Sequence, residues 1–299
     1  MTEETFSPIL TEAMQALMPS AEDVDFYQTH GWWVSKRIFS DEELDTITAA
    51  GVQHQNHGSE RPLPTPIQKY LDWRPDVGEM FKTNSYIIYQ NKTISDIGLK
   101  PILGAIAARL AGTDQIRLFS SYFVEKPPAK PNELYTVGYH TDKAYCQTCS
   151  STKMLTAWIP LQDTNTYNGA LNMLDGSHLW PDTEEVAQLS KETNYAENDN
   201  HFVERAASLG LPIKLLPAEV KKGQVGFHHC QLFHGSDANY SAQPRRALIL
   251  HLQDGDNYYV RAYDQQGQLI VNNNDLMVPK NNEGNPDYSD SDFCPVIWG

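Results

Sequence analysis

The strongest constraint on the fold is the sequence pattern after residue 115, where short apolar runs alternate with Pro, Gly, Asn and Asp. The runs of strand length are QIRLFSSYFVEK, KMLTAWIPLQD, ALNMLDGS, IKLLP, QVGFHH, RALILHLQ and NYYVRAY. So many short strands separated by turn residues predict a sandwich or barrel, and a jelly roll is one of the few such folds that protects its sheet edges. We expect a mainly β protein with flanking helices, interrupted by a helical or irregular stretch at 182–209.

The first hundred residues carry helical patterns. Helices are predicted over residues 10–18, 21–29, 41–53 and 100–112, and a strand over WWVSKRIF. Ser40 and Glu43 have the spacing of a capping box, which places the start of the third helix at residue 41. Pro101 and Gly112 mark the ends of the fourth helix, because Pro suits a first turn and Gly follows a last one.

The length of 299 residues is compatible with one large β domain. We expect a helical N-terminal part at about 1–113, a jelly-roll core at about 114–265 and a C-terminal extension at 266–299. The segment 54–80 contains four prolines, and an irregular segment of that length is more often functional than idle, so we expect a lid over a pocket. The extension is expected to wrap the surface, anchored by Phe293, Ile297 and Trp298.

The net charge of −15 disfavours binding to nucleic acid or to an anionic membrane. The chain has no run of 18 apolar residues, and residues 1–8 are acidic where a secretion signal would be basic, so we expect a cytosolic protein with a small-molecule substrate. The sequence predicts no particular oligomeric state.

Two candidate metal sites share the stretch GYHTDKAYCQTCSS, residues 138–151. His140 and Asp142 are two residues apart, so on an extended strand both side chains leave the same face. One imidazole and one carboxylate suit iron or manganese better than a metal that prefers sulfur ligands. The best third ligand is His234, 92 residues after Asp142, where a strand is expected to end at a Gly; His229 is its rival.

The thiols of Cys146 and Cys149 are the second candidate. A structural zinc site needs four ligands, usually in two close pairs, and Cys230 and Cys294 stand apart in sequence. A thioredoxin-like use needs an α/β context that this half of the chain lacks. We therefore expect small thiols that are buried or that line the mouth of a pocket. The remaining histidines near these motifs are expected to serve packing or hydrogen bonding: His178, His228, His229 and His251.

Two histidines and one carboxylate form the facial triad of mononuclear non-haem iron oxygenases, which leaves coordination positions open for a cosubstrate and dioxygen. Arg245 follows His234 by eleven residues and begins the next predicted strand. A guanidinium at that place could pair with a carboxylate of a bound diacid, or it could be a solvated surface charge like its neighbour Arg246.

These residues resemble the phytanoyl-CoA dioxygenase family of Fe(II)- and 2-oxoglutarate-dependent oxygenases. The resemblance is carried by FYQTHGWWVSKRIFSDEEL, KPP at 126–128, the His-x-Asp motif, NGALNMLDGSH and HGSDANYSAQPRRAL. It implies a double-stranded β-helix, the cupin-like jelly roll, with Fe(II) bound by His140, Asp142 and His234. It also implies that 2-oxoglutarate and O2 are cosubstrates.

The resemblance further assigns the cosubstrate site. Arg245 is implied to hold the distal carboxylate of 2-oxoglutarate, and Ser236, Trp158 and Tyr122 match positions that line this site in relatives. For Trp158, packing in the core is an equal alternative. Lys82 is a further candidate for an upstream cosubstrate position.

The expected activity is hydroxylation of an unactivated C–H bond in a small organic molecule, in the manner of enzymes that tailor toxins, alkaloids and other specialised metabolites. Asp142 fills the position that related halogenases leave to chloride, so the resemblance implies hydroxylation over halogenation. Desaturation or epimerisation by the same triad, or a catalytically silent cupin-like binding protein, are the alternatives.

Overall fold

The computed structural model describes residues 9–68, 71–191 and 200–299. Its α-helices are α1 (Glu12–Gln15), α2 (Ala21–His30), α3 (Asp41–His57), α4 (Ile87–Gln90), α5 (Lys92–Gly98), α6 (Pro101–Ala111), α7 (Glu184–Lys191), α8 (Asn200–Ser208) and α9 (Asn273–Met277). Its strands are β1 (Trp32–Val34), β2 (Lys82–Ser85), β3 (Ile116–Lys126), β4 (Val137–His140), β5 (Leu155–Pro160), β6 (Leu171–Leu174), β7 (Leu215–Ala218), β8 (Gly226–His229), β9 (His234–Ser236), β10 (Arg245–Asp254) and β11 (Val296–Trp298).

The strands form two antiparallel sheets. The larger sheet has the order β1-β8-β5-β10-β3-β11, and β2 also pairs with β3. The smaller sheet has the order β4-β9-β6-β7. Neighbours in each sheet are mostly distant in sequence, as in a jelly roll, so the two sheets bring together residues from well-separated segments. The predicted mainly β fold with flanking helices is confirmed.

The central strands of the large sheet alternate between two environments. On β10, Leu248, Leu250 and Leu252 pack in the core cluster that includes α3 and α6. Ala247 and Ile249 belong to a separate cluster on the other face. Because successive side chains of a strand point to opposite faces, each central strand supplies the helical layer with one set of residues and the space between the sheets with the other.

The helices agree closely with the sequence patterns. Ser40 caps α3 in a capping box with Glu43, as predicted, although the helix continues to His57. Gly31 ends α2 with φ of 79°, a conformation that glycine adopts without steric cost. α6 begins at Pro101 and ends before Gly112, as predicted.

In the part of the chain that the structure describes, no helix combines the length and apolar character that crossing a bilayer requires.

Three strands of the large sheet come from outside the predicted core at 114–265. β1 lies within the predicted strand WWVSKRIF, but β2 was not predicted, because KTNS has no apolar alternation. β11 pairs with β3, so the C-terminal extension contributes a strand to the sheet in addition to covering the surface. Phe293 and Ile297 are buried, which confirms them as anchors.

The predicted strand NYYVRAY is wrong. Residues 257–263 make only isolated bridges, between Cys149 and Tyr259 and between Tyr263 and Leu269. Tyr258 and Tyr263 are exposed, so the β-branched and aromatic composition of this run reflects a surface loop and not a buried sheet face.

Candidate active site

A cavity of about 270 Å³ lies between the two sheets and reaches the predicted triad. Among the described residues, His140, Asp142 and His234 form a group whose possible ligand atoms all lie within 4.8 Å of one another. His140 ends β4 and His234 begins β9, and the two are register partners in the small sheet. Their ring centroids are 4.4 Å apart. The sheet therefore brings together two histidines that are 94 residues apart in sequence.

Both histidines present the same nitrogen to this site. Nδ1 of His140 lies 2.8 Å from the carbonyl oxygen of Gly138, and Nδ1 of His234 lies 3.0 Å from that of Leu232. A carbonyl oxygen only accepts hydrogen bonds, so each Nδ1 carries the proton and each Nε2 keeps its lone pair for a metal. Burial lowers the pKa of both rings to about 4, which keeps them neutral at physiological pH.

The two oxygens of the Asp142 carboxylate have different surroundings: one accepts hydrogen bonds from protein side chains, and the other lies near His234. Oδ2 accepts hydrogen bonds from the hydroxyl of Thr156 at 2.6 Å and from Nε2 of His228 at 3.1 Å. Oδ1 lies 3.7 Å from Nε2 of His234. Burial by itself would raise the pKa of Asp142, but the nearby His251 and His234 and the hydrogen bond from His228 hold it well below its usual range. The carboxylate is thus ionised, with Oδ1 as the oxygen available to a cation.

The local backbone at the triad differs from the predicted one. The strand ends at His140, and Asp142 begins a 3-10 helix that runs to Tyr145, so the two side chains converge through a turn and do not share a strand face. His234 begins a strand where the pattern predicted that a strand would end. Gly235 is required there, because a β-carbon at this position would lie 2.7 Å from the carbonyl oxygen of Val137 on the adjacent strand.

The other predicted site residues also line the cavity, namely Tyr122, Trp158, Ser236 and Arg245. Arg245 begins β10, is 2% exposed, and has no hydrogen-bond partner for its Nε among the described residues. Its guanidinium carbon lies 5.4 Å from the ring centroid of Trp158. Burial lowers the pKa of Arg245 to about 10, so the side chain stays charged while buried. A buried, incompletely bonded guanidinium facing a cavity indicates a site for an anionic ligand.

The sequence profile of the phytanoyl-CoA dioxygenase family (PhyH) matches residues 27–247, most of the chain. The chain belongs to this family. Ectoine dioxygenase of Bordetella bronchiseptica is 25% identical over 250 residues, covering 77% of this chain and 74% of the relative. The protein is a 2-oxoglutarate-dependent non-haem iron dioxygenase, as predicted from the motifs.

Solved structures support the same fold. The α-ketoglutarate-dependent carbocyclase SnoK from nogalamycin biosynthesis has a TM-score of 0.66 at 23% identity, covering 93% of this chain and 96% of that one. EctD from S. alaskensis with 2-oxoglutarate and 5-hydroxyectoine has a TM-score of 0.62 at 20% identity, covering 86% of this chain and 82% of that one. The jelly-roll architecture predicted for this dioxygenase is therefore confirmed.

The residues of this dioxygenase fit the iron and 2-oxoglutarate that its family uses. Two neutral imidazole nitrogens and one ionised carboxylate oxygen, which lie close together, are the donor set that would hold the metal of a mononuclear iron oxygenase. The incompletely bonded Arg245 has the positive charge that would pair with the distal carboxylate of a 2-oxo diacid. When bound, iron, 2-oxoglutarate and O2 together supply the oxidising power that attacks a C–H bond.

Three residues outside the predicted site also line the cavity: Thr156, His228 and His251. Strand alternation contains a signal for two of them. His251 is six residues after Arg245 on one strand and therefore shares its face, and Thr156 is two residues before Trp158 on another. His228 was correctly expected to serve hydrogen bonding, and its partner is the metal-site carboxylate.

The remaining candidates lie outside the cavity. Lys82 is directed away from it, with its ammonium group 2.6 Å from Glu125, while its neighbours Phe81 and Thr83 line the wall. All four cysteines are free and buried, which is the first of the two expected positions, and none of them lines the cavity. In the folded chain all four cysteines belong to one apolar cluster, although Cys230 and Cys294 are far from the other two in sequence.

Replacing Thr156 with Val is expected to lower Fe(II) affinity about tenfold, because outer-sphere partners of metal ligands typically contribute that much. The substitution keeps the volume and β-branching but removes one of the two hydrogen bonds that hold Oδ2 of Asp142. Affinity is measured anaerobically by competition with a chromogenic chelator. Thr164→Val is the matched control, since Thr164 is equally buried but donates its hydroxyl proton to the carbonyl oxygen of Val220. Equal affinities in the two variants would contradict this role.

Proposed function

We propose that this dioxygenase hydroxylates an unactivated C–H bond of a small, weakly polar molecule. In this proposal His140, Asp142 and His234 bind iron, and Arg245 with Ser236 holds the distal carboxylate of 2-oxoglutarate. Trp158 and Tyr122 form the adjoining walls. The role of the protein is to orient the target carbon next to the metal and to exclude water from it.

The composition of the cavity wall is the observation that carries this proposal. Among the described residues, the charged ones that line it are Asp142 and Arg245, and the proposal assigns them to the metal and the cosubstrate. The rest of the lining is apolar, aromatic or neutral, including Leu71, Phe81 and Ile249. A volume of about 270 Å³ is near the lower end for ligand pockets. These features favour a compact, uncharged target group over an acyl-CoA ester, whose phosphates would require basic residues near the mouth.

The experiment is a screen for metabolites that stimulate succinate formation from 2-oxoglutarate. Mass spectrometry of the product then separates the reaction types: hydroxylation adds one oxygen, desaturation removes two hydrogens, and epimerisation leaves the mass unchanged. Toxins and alkaloids such as cylindrospermopsin precursors belong in the panel, because tailoring of specialised metabolites is the proposed cellular role. A cytosolic location would give access to such substrates.

Epimerisation is the second candidate, since the epimerase SnoN in complex with Fe3+, α-ketoglutarate and nogalamycin RO has the same fold, with a TM-score of 0.64. A product of unchanged mass with an inverted stereocentre would favour it.

The segment at 54–80 is proposed to act as a lid, and Leu71 of that segment lines the cavity. Replacing Leu71 with Ala should admit water and raise the amount of succinate formed per molecule of hydroxylated product. Leu63→Ala is the control, because Leu63 lies in the same segment but packs against the cysteine cluster. Unchanged coupling in Leu71→Ala would reject the lid.

A further inference from the structure

Lys126 is a fully buried lysine beside the active-site cavity. It ends β3, has 0% exposure, and is the register partner of Arg245 on β10. Residues directly opposite in an antiparallel pair point to the same face of the sheet. Tyr122 and Val124, which share the face of Lys126 on β3, line the cavity. Lys126 therefore lies on the cavity side of the sheet, next to the arginine proposed for the cosubstrate.

The ammonium group of Lys126 is held by uncharged oxygens. It donates to Oγ of Ser236 at 2.6 Å, to the carbonyl oxygen of Ser236 at 3.2 Å, and to the carbonyl oxygen of Asp237. These bonds use the three protons that an ammonium group has. They fix its position without neutralising its charge.

The side chains of Lys126 and Arg245 are therefore two neighbouring buried cations. Burial lowers the pKa of Lys126 well below its usual range, and the charge of Arg245 lowers it further, whereas Asp237 raises it. The carboxylate of Asp237 accepts a hydrogen bond from the side chain of Asn172 at 2.7 Å. The three acceptor oxygens around Nζ are the surroundings of an ammonium group, so we count Lys126 as charged. Its charge and that of Arg245 then exceed the charge of Asp237 by one, which a single bound carboxylate would balance. Like charges placed directly opposite on a sheet are otherwise destabilising.

The hydroxyl of Ser236 links Lys126 to the cavity. Because Oγ accepts a hydrogen bond from the ammonium group, its own proton must point elsewhere, and Ser236 lines the cavity. The lysine thereby orients a hydroxyl donor toward the same space that Arg245 faces.

We propose that Lys126 is a positioning residue for the distal carboxylate of 2-oxoglutarate, directing the hydroxyl proton of Ser236 and supplying a second positive charge beside Arg245. It would make this dioxygenase select dicarboxylic over monocarboxylic 2-oxo acids. This inference rests on the proposed assignment of Arg245 and Ser236 to the cosubstrate.

The test compares two 2-oxo acids of equal chain length, 2-oxoglutarate and 2-oxopentanoate, which has a methyl group in place of the distal carboxylate. Their Kd values are measured by anaerobic titration of the Fe(II)-loaded protein, using the visible charge-transfer band of the chelate. Lys126→Met should raise the Kd for 2-oxoglutarate about 10- to 100-fold, as expected for loss of a hydrogen bond involving a charged group. The Kd for 2-oxopentanoate should change less than about threefold, because the metal-chelating end is unaffected.

Lys82→Met is the matched control, because Lys82 lies on the adjacent strand and pairs with Glu125 outside the cavity. Its Kd ratio for the two acids should equal that of the wild type. Lys126→Gln keeps a hydrogen-bond donor and provides a second variant if the methionine variant does not fold. In Lys126→Gln the preference for 2-oxoglutarate over 2-oxopentanoate, measured as the ratio of their Kd values, should fall about tenfold. An unchanged ratio in both folded Lys126 variants, or equal weakening of both acids, would overturn the inference. Absence of the band in the wild type with 2-oxoglutarate would instead reject the proposed function itself.

Discussion

His234→Ala and His140→Ala are expected to abolish Fe(II) binding at this site, and substrate-dependent succinate formation should fall to about a thousandth of the wild-type rate or less. Each variant removes one of three donors, and the lost imidazole leaves a cavity that cannot hold the ion in a facial arrangement. The measurement is the charge-transfer band with 2-oxoglutarate under anaerobic conditions, together with succinate assays in air.

The control for this prediction is His229→Gln, because His229 is the histidine that sequence alone offers as a rival distal ligand. Its Nδ1 accepts a hydrogen bond from the backbone N–H of Gln231, and it does not line the cavity. The band should persist in this variant. A band that survives in His234→Ala but disappears in His229→Gln would show that the distal ligand is assigned wrongly.

Arg245→Met is expected to raise the Kd for 2-oxoglutarate about 100- to 1000-fold. Removing one partner of a buried charged pair costs roughly 3–5 kcal/mol, and 1.4 kcal/mol corresponds to a factor of ten. Affinity for Fe(II) should stay near that of the wild type, since the guanidinium is not a metal ligand. Separate titrations with metal and with cosubstrate distinguish these two effects.

Arg246→Met is the matched control, one residue along the same strand. Because adjacent strand residues point to opposite faces, Arg246 pairs with Glu125 away from the cavity, with its Nε 2.6 Å from the carboxylate. Its cosubstrate affinity should be unchanged. If Arg245→Met and Arg246→Met weaken 2-oxoglutarate binding equally, general surface charge and not a specific carboxylate site would be responsible.

Sequence patterns were sufficient for the parts of the fold where local and tertiary preferences agree. Local structure follows directly from the capping box at Ser40, from Pro101 at the start of α6 and from the short apolar runs of β5 and β10. The short strand β2 could not be predicted, because KTNS becomes a strand only when β3 offers it a free edge. The prediction for NYYVRAY is wrong for the opposite reason: the run has strand composition, but within the described parts of the chain it has no neighbouring strand with which to pair in a ladder.

The same distinction applies to the site. The motif residues His140, Asp142, His234 and Arg245 are recognisable from their spacing within segments that resemble a known family. Lys126 was seen only as part of KPP, and its proximity to Arg245 depends on the register between β3 and β10, which no local pattern specifies. Thr156 and His228 likewise become partners of Asp142 only when β5 and β8 lie side by side.

The sequence by itself determined the chemistry that this chain is able to carry, because residue types, their spacing and the family resemblance predict an iron site and point to Arg245 as a partner for a carboxylate. Only the tertiary structure decided which oxygen of Asp142 is left for a metal, which thiols lie in one cluster, and which lysine is buried beside Arg245. The physical reason is that donor chemistry belongs to single residues, whereas burial, charge balance and hydrogen-bond partners depend on which strands become neighbours.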